Sequence, residues 1–558
     1  MTFPSLVLPC LLALLALCKS VPVPPLVPWP TDVVNISFDT ETLTTINPKS
    51  FDIVLQNTDV NDDHNNNNAQ DFIQHAKKVY LEKHLFALPD YPETYQPNPN
   101  NAELMNIQKL TIEVKSLNTT LHHGVDESYS FLNNHEGAHI SATTVFGAIR
   151  GMETFCQLLR FGWLNDDNQE PVFVMSPLYI EDKPVYPYRG LLIDTSRHYL
   201  PIDLIVKNLD TMAMNKLNVL HWHMVDSQSW PFVSSTYPQL SRKGAYGPHA
   251  IYTPRDVQRV IREAYYRGIR VIPEFDMPGH TQAIGAAHPE LLSPCPDTPS
   301  EPLDPTNPRV YDFVENLYRE IVSVFWTADF VHVGGDEVSF DCWNKSSSIQ
   351  KWKEQHNISD ETGLYEHFET KLLHIVADKL QKRTIVWQEV FDLGLPIHKD
   401  TIVDVWKDWG NQDVQAMEKA TAEGYQVILA SCWYLDHLDS DWRDYYKCEP
   451  RSFFNGTRAQ KDLVVGGHAC MWGERVDASD FETRVWPRAS SAAERLWSGK
   501  TGQDTFYDRM PLFRCSMVRR GIPASPVVPG HCDTEPTHIR PRPIKTSLDT
   551  KDEFMSEE

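Results

Sequence analysis

Beyond its first 20 positions, the chain has no apolar run of 18 or more residues, the length that a membrane-spanning helix requires. Basic residues are also scarce, because 51 lysines and arginines face 75 aspartates and glutamates, giving a net charge of −24 at pH 7. This balance argues against a nucleic-acid partner, since nucleic acids bind to basic patches. We therefore expect a soluble protein without a membrane span, suited to an acidic compartment where some carboxylates are neutralised.

The beginning of the chain predicts a secretory route. Residues 6–17, LVLPCLLALLAL, form an apolar run of 12, too short for a bilayer but typical of a signal-peptide core. We expect residues 1–20 to be this signal, and the protein to be lysosomal or extracellular. Eight cysteines follow the signal and are candidates for disulfides in a secreted protein. Five glycosylation sequons agree with this route: Asn35, Asn118, Asn344, Asn357 and Asn455.

The chain has 558 residues, and the length that remains after the expected signal is too great for one compact core. It therefore predicts two domains. Residues 21–180 mix strand-like segments such as FDIVLQ with the helical ATTVFGAIRGMETFCQLLRF, and so predict a small α/β domain. The polar stretch 57–72, NTDVNDDHNNNNAQDF, predicts a surface loop within it. Residues 533–558 are polar and contain proline, and we expect a disordered or loosely attached tail.

Residues 185–532 alternate short β-rich runs with helical segments. Eight runs are strand candidates: 189–195, 219–226, 270–276, 330–337, 384–389, 401–406, 426–433 and 464–474. This alternation predicts an α/β chain folded as a (β/α)8 TIM barrel. Thr253 and Pro254 mark a helix start and Gly268 its end. The short interval between the fifth and sixth strands leaves little room for a full helix.

Acidic and aromatic residues collect at the carboxyl ends of these strands, where TIM barrels place their active sites. They are Asp226, Glu274, Asp276, Asp336, Glu337, Trp387, Glu389, Trp406, Trp433, Tyr434, Asp436, Trp472 and Glu474. Sugar rings stack on aromatic side chains, and carboxylates bind hydroxyl groups. Glycoside cleavage requires an acid for the leaving oxygen and a second group that stabilises an oxocarbenium-like state. The pattern therefore indicates a site that cleaves sugars.

The motif HVGGDEV at 332–338 places two acids side by side. Successive side chains of a strand point to opposite faces. Asp336 and Glu337 can therefore share a site only if the strand ends and the backbone turns, which Gly334 and Gly335 would allow. Taken alone, the motif is equally explained as a turn with a capping aspartate.

Other candidates have simpler explanations too. His221, His223 and Asp226 on one strand face could form a metal triad, although packing and hydrogen bonding explain them equally well. Arg189 could be a structural ion-pair partner and Tyr434 a core tyrosine. A single tryptophan is more often part of a core than a sugar platform.

Nine motifs occur together and in order: RGLLIDTSRHYLP, NKLNVLHWHMVD, RVIPEFDMPGH, HVGGDEV, VWQEVF, VWK, WYLD, WGERVD and WPRASSAAERLW. They resemble the β-N-acetylhexosaminidases of glycoside hydrolase family 20, most closely the β-type subunits of the animal lysosomal members. The resemblance runs from about residue 126 to Cys532. It implies a retaining exo-glycosidase that removes terminal β-linked GlcNAc or GalNAc from glycans, including glycolipids. It also implies no cofactor, no metal and a homodimer.

In this family the 2-acetamido oxygen of the substrate attacks the anomeric carbon and forms an oxazolinium ion, which is an exception to the two-carboxylate scheme. The resemblance implies that Glu337 is the general acid and then the base for water. Asp336 would hold the acetamido N–H, and Tyr434 the acetamido oxygen. We also expect the ionised Asp336 to keep Glu337 protonated by like-charge repulsion.

The resemblance extends to the sugar-binding residues. It implies that Arg189 binds O3 and O4, and that Glu474 binds the O4 and O6 side. Asp226 and His280 would support the two catalytic acids. The sugar and its acetamido methyl would be walled by tryptophans, which are Trp387, Trp406 and Trp472.

Asp436 takes the position of an acid in the β-type subunits. An acid near O6 would disfavour 6-sulfated and other anionic sugars, and His437 beside it would soften that exclusion when protonated at low pH. The resemblance supports two disulfides, Cys295–Cys342 and Cys515–Cys532. Cys432–Cys448 is plausible from its spacing alone, which would leave Cys156 and Cys470 free and buried.

Two rival functions stay open from sequence. One is a sugar-binding or adhesion protein that kept the pocket and lost turnover. The other is a secreted hexosaminidase that degrades chitooligosaccharides. Hydrolysis of a chromogenic GlcNAc β-glycoside would distinguish an enzyme from the sugar-binding protein. The relative rates on chitobiose and on N-glycan ends would distinguish the chitooligosaccharide-degrading enzyme.

Overall fold

A computed structural model describes residues 26–36, 44–46, 50–56, 63–85, 105–134, 137–163, 171–175, 178–296, 300–395 and 397–532. The expected signal at 1–20 and the expected tail at 533–558 lie outside the described residues. Within them, no helix is both long enough and apolar enough to cross a bilayer.

Eight parallel strands close into a barrel, in chain order around the ring, which confirms the predicted TIM barrel. Numbered 1 to 8, the barrel strands are Tyr188–Asp194, Val219–Val225, Arg270–Phe275, Phe330–His332, Arg383–Trp387, Ile402–Val405, Gln426–Leu429 and Val464–Met471. Each strand contributes one buried apolar or tyrosine side chain to a cluster near the strands' amino ends. A second cluster, which contains Trp387 and Trp472, lies towards the carboxyl ends.

Helices follow most of the barrel strands. The α-helices from residue 185 onwards are Ile202–Met214, Gln239–Gly244, Pro254–Tyr265, Gln282–Gly285, Pro308–Val324, Asp341–Lys345, Ser347–Gln355, Glu361–Leu373, Gln388–Asp392, Gln412–Ala422, Trp442–Lys447, Arg458–Asp462, Phe481–Val485, Arg488–Ser498 and Phe506–Arg519. Thr253 caps helix Pro254–Tyr265 and Pro254 lies in its first turn, as predicted, and Asp256 completes a capping box. Only the short helix Gln388–Asp392 separates barrel strands 5 and 6, as the short interval predicted.

The amino-terminal region is α/β. One sheet has six strands, in the order Asp32–Ile36, Leu178–Asp182, Tyr129–Asn134, Gly137–Ala142, Lys109–Val114 and Asp52–Gln56. A second sheet has four strands, in the order Met105–Ile107, Thr44–Ile46, Pro171–Met175 and Arg160–Trp163. Helices Asp63–Val79 and Val145–Leu158 accompany them.

The predicted loop over 57–72 is wrong for its second half, where helix Asp63–Val79 begins. The described part of this helix buries Ala69, Phe72, Ile73 and Ala76. Their spacing of three and four residues is that of one helix face. The asparagine-rich segment is therefore the polar start of an amphipathic helix whose later turns pack into the core.

Buried charges join the amino-terminal region to the barrel. Glu127 lies between two arginines, with Arg189 Nη2 at 2.7 Å and Arg150 Nε at 2.9 Å. Lys216 pairs with Asp182 at 2.8 Å. All five side chains are at most 2% exposed, so each charge depends on its partner.

Among the residues that the structure describes, three disulfides form, and they match the expected pairs: Cys295–Cys342, Cys432–Cys448 and Cys515–Cys532. Cys156 and Cys470 are free and buried, also as expected. Four sequon asparagines have exposed side chains, namely Asn118, Asn344, Asn357 and Asn455.

Candidate active site

The turn after barrel strand 4 places both acids in one site. The strand ends at His332, and Gly334 and Gly335 adopt φ values of 75° and 97°, which favour glycine. A Cβ on Gly334 would collide with Asp276 Oδ1, and one on Gly335 with Val390. The two glycines therefore allow the backbone to turn and also allow Asp276 and Val390 to pack against it. This supports the interpretation as a functional site over that of a simple capping turn.

Asp336 and Glu337 converge on a single imidazole. His280 Nε2 lies 3.6 Å from Asp336 Oδ2 and 3.6 Å from Glu337 Oε2. The Asp336 side chain is recessed, with 11% exposed, whereas that of Glu337 is 59% exposed. Glu337 itself has a φ of 50°, unusual for a residue with a Cβ. One acid is thus positioned inside the mouth and the other is open to an incoming ligand.

A chain of alternating acids and imidazoles supports this pair. Asp226 accepts hydrogen bonds from His280 Nδ1 at 3.1 Å and from His223 Nε2 at 2.9 Å. Burial would raise the pKa of Asp226, but the hydrogen bonds from His223 and His280 hold it well below its usual range. Burial would lower the pKa of His223, but the charge of Glu274 and the bond to Asp226 raise it to about 10. Asp226 and His280 therefore lie where the sequence predicted supporting residues.

The pKa of Glu337 differs from expectation. We expected repulsion from Asp336 to keep Glu337 protonated. Instead, the approach of His280 Nε2 to 3.6 Å lowers the pKa of Glu337 below its usual value, and the positive charge of His280 acts in the same direction. The imidazolium lies as close to Glu337 as to Asp336, so its attraction dominates in the ligand-free site. A role as proton donor then requires acidic solution.

Aromatic side chains form one wall of the mouth. Trp387, Trp406, Tyr434 and Trp472 belong to one cluster, with ring centroids 6.0 Å apart for Trp387–Trp472, 6.2 Å for Trp406–Tyr434 and 6.4 Å for Tyr434–Trp472. Trp406 donates its indole N–H to Glu389 at 2.9 Å. The structure thus brings together four of the five aromatic residues that the sequence placed at the strand ends. The fifth, Trp433, is buried in the main core and donates its indole N–H to the Tyr445 carbonyl.

Arg189 does not reach the mouth, and its predicted role in binding O3 and O4 is wrong. It lies at the amino end of barrel strand 1, is fully buried, and donates two hydrogen bonds of 2.7 Å to Glu127. The structural ion-pair alternative is the correct one. Because Arg189 starts its strand, it lies at the end of the barrel opposite the active site.

Arg197, which the sequence reasoning missed, occupies the mouth instead. Its guanidinium lies 2.9 Å from Asp194, 2.9 Å from Asp226 and 3.4 Å from Glu474. It also lies 5.1 Å from the ring centre of Trp472. The signal was available, because Arg197 follows the end of barrel strand 1 by three residues.

Glu474 and Asp436 complete the rim. The Glu474 side chain is 52% exposed and faces Arg197. Asp436 is half-buried, and no described residue gives its Oδ1 a hydrogen bond. Burial raises the pKa of both carboxyls. His437 is exposed and its ring centre lies 5.8 Å from that of Tyr434, so it is at the same rim.

The His221–His223–Asp226 metal triad is not formed. His223 gives both ring nitrogens to Asp226 and Glu274. His221 instead has potential ligand atoms within 4.8 Å of those of Asp404 and His468, or of Glu274 and His332. Within these groups, His468 Nε2 donates a 2.7 Å hydrogen bond to Asp404.

Comparison with known proteins identifies the family. Residues 186–500 match the catalytic domain of glycosyl hydrolase family 20, and residues 26–158 match the beta-acetyl hexosaminidase like domain. The first match spans more than half of the chain. The chain belongs to glycosyl hydrolase family 20. It is therefore a β-N-acetylhexosaminidase, an enzyme class that hydrolyses terminal GlcNAc and GalNAc by substrate-assisted catalysis.

Individual members of glycosyl hydrolase family 20 agree with this assignment. The mouse beta-hexosaminidase subunit beta is 45% identical over 74% of this chain and 76% of its own length, and the rat subunit alpha is 44% identical over 74% and 78%. A chitobiase from Flavobacterium johnsoniae superposes with a TM-score of 0.73 at 28% identity, covering 89% of this chain and 73% of that one. A Vibrio harveyi exo beta-N-acetylglucosaminidase, at 23% identity and a TM-score of 0.71, shares the fold over 90% of this chain and 78% of its own.

Proposed function

We propose that Asp336, Glu337 and Tyr434 divide the family's reaction among them. Glu337 protonates the glycosidic oxygen, and its carboxylate then accepts a proton from the attacking water. Asp336 accepts a hydrogen bond from the acetamido N–H and stabilises the positive oxazolinium. Tyr434 donates its hydroxyl to the acetamido oxygen. The observation that carries this proposal is the shared 3.6 Å approach of both acids to His280, with Glu337 open and Asp336 recessed.

We propose that Arg197, rather than Arg189, binds the O3 and O4 hydroxyls, with Glu474 on the O4 and O6 side. Arg197 is held by Asp194 and Asp226, so its direction is fixed before a sugar arrives. Trp387, Trp406 and Trp472 then enclose the ring and its acetamido methyl.

The proposed division of roles is tested with Glu337→Gln. A glutamine keeps the shape and cannot donate a proton, so kcat on natural glycans should fall by about 10²-fold or more. A chromogenic substrate whose leaving group needs no proton should lose less. Wild-type rates on natural glycans would contradict the role of Glu337. Binding without any hydrolysis by the wild type would instead favour a sugar-binding protein.

We also propose a preference for neutral terminal sugars. Asp436 places a carboxylate at the rim beside Glu474, and two acids oppose a 6-sulfate. Because burial raises the pKa of Asp436, this opposition weakens as the pH falls. The measurement is the kcat/KM ratio of 6-sulfo-GlcNAc to GlcNAc glycosides at several pH values. Asp436→Asn should raise the ratio, whereas Asp439→Asn, on an exposed neighbour, should not.

Substrate source and assembly are part of the proposal. The enzyme acts on carbohydrate, and we propose terminal N-acetylhexosamines of glycans, including glycolipids, as its substrates. Chitobiose belongs in the same panel, because one structural relative is a chitobiase. Relatives named as subunits alpha and beta support a dimer, and we propose a homodimer, which sedimentation analysis would test. Sequons and disulfides support a secretory route with a lysosomal or extracellular destination.

A further inference from the structure

Glu274 is a fully buried carboxylate to which no catalytic step has been assigned. It lies near the carboxyl end of barrel strand 3. One oxygen, Oε1, accepts the indole N–H of Trp387 at 2.7 Å. The other, Oε2, accepts the Nδ1–H of His223 at 2.7 Å. A single side chain thus contacts two separate parts of the active site.

The first contact leads to the catalytic acids. His223 donates its second nitrogen to Asp226 at 2.9 Å, Asp226 accepts from His280 at 3.1 Å, and His280 faces both acids. Charges alternate along this chain. His223 can donate at both nitrogens only when it is protonated, and Glu274 and Asp226 are the two acceptors that favour that state.

The second contact leads to the aromatic wall. Trp387 is almost fully buried, and its indole N–H points to Glu274. That bond fixes the rotation of the ring, which lies 6.0 Å from Trp472. An indole has one donor and no acceptor, so loss of this acceptor would leave a buried N–H unsatisfied.

We propose that Glu274 is a positioning residue for the hydrolysis, joining the wall tryptophan Trp387 to the His223–Asp226–His280 chain that ends on Glu337 and Asp336. This inference rests on the proposed roles of those two acids and deepens them. In this proposal the buried carboxylate of Glu274 positions both the tryptophan wall that encloses the sugar and the residue that donates the proton.

The charged groups around Glu274 define what its removal would do. His221 and His223 face it from barrel strand 2, His332 from barrel strand 4, and Asp404 lies beyond His332 on barrel strand 6. His223 and His221 approach Glu274 most closely, at 2.7 and 2.8 Å. Because the charge of Glu274 raises the pKa of His223, its loss lowers that pKa.

The substitution Glu274→Gln tests the proposal in the full-length enzyme. When His223 loses its proton, the negative charge of Asp226 is less compensated and raises the pKa of Glu337. The alkaline limb of kcat/KM for a chromogenic GlcNAc β-glycoside should move to higher pH. KM should rise modestly, because a neutral amide oxygen accepts the Trp387 N–H more weakly than a carboxylate does, and kcat/KM at the optimum should fall about 10- to 100-fold.

Two further variants keep the test decisive. Glu494→Gln removes another fully buried glutamate, paired with Arg509 outside the site, and should lower thermal stability without moving the pH limb or KM. His223→Gln breaks the chain but leaves the bond between Glu274 and Trp387, so it should move the pH limb with little change in KM. It replaces Glu274→Gln if that variant does not fold.

The outcomes are distinct. A pH profile and KM like the wild type, with only a loss of stability as in Glu494→Gln, would show that Glu274 is structural and overturn the inference. Wild-type rates in Glu337→Gln would overturn the proposed acid instead, whatever Glu274→Gln does.

Discussion

Glu127→Gln should destabilise the fold and leave sugar binding intact. The Glu127 carboxylate lies between Arg189 and Arg150, with contacts of 2.7 and 2.9 Å, and all three side chains are at most 2% exposed. Glutamine preserves the volume but leaves two buried guanidinium groups without a counter-charge. Breaking a buried ion pair in this way costs about 3–5 kcal/mol.

Thermal unfolding measures that loss, and a fall in Tm of about 3–4 °C is expected for a chain of this length. KM for a chromogenic GlcNAc β-glycoside at 25 °C should stay at the wild-type value, because Arg189 lies away from the mouth. Glu354→Gln, on an exposed residue, is the matched control and should change stability by less than about 0.5 kcal/mol.

The effect should depend on pH with a defined sign. Burial alone would raise the pKa of Glu127, but the charges of Arg189 and Arg150 hold it below the usual value. Its stabilising contribution is therefore present above the unfolded pKa of about 4.3 and is lost as the pH falls through the lower folded value. An unchanged Tm at neutral pH, or a raised KM, would refute the structural assignment of Arg189.

Three further variants probe the mouth. Arg197→Lys should raise KM and lower kcat/KM about 10- to 100-fold, since hydrogen bonds to a charged group are worth about 1.5–3 kcal/mol; an unchanged KM would remove Arg197 from sugar binding. Asp336→Asn should slow formation of the oxazolinium and weaken inhibition by a thiazoline analogue, and normal inhibitor affinity would argue against its role. His280→Gln removes the group that lowers the pKa of Glu337, so the alkaline limb of kcat/KM should move to higher pH. An alkaline limb that stays at the same pH or moves to lower pH would contradict the conclusion that His280 lowers the pKa of Glu337.

Much of the architecture could be predicted from the sequence because local rules govern it. Barrel strands Tyr188–Asp194 and Val464–Met471, for example, are buried along their whole length. Apolar runs of this kind between helices are typical of parallel strands, which are covered on both faces. The helix over Asp63–Val79 was missed because the sequence of its first turns is polar, whereas its later turns bury Ala69, Phe72, Ile73 and Ala76.

The sequence by itself determined the barrel, the family motifs and the position of the acids at strand ends, since these follow from hydrophobic pattern and residue order. Only the tertiary structure decided between Arg189 and Arg197, which lie eight residues apart at opposite ends of one strand and its following loop. It also decided the direction of the Glu337 pKa, because His280, 57 positions away in the chain, lies 3.6 Å from that carboxylate. Electrostatic interactions depend on distance in space and on burial, and neither quantity is written in the order of residues.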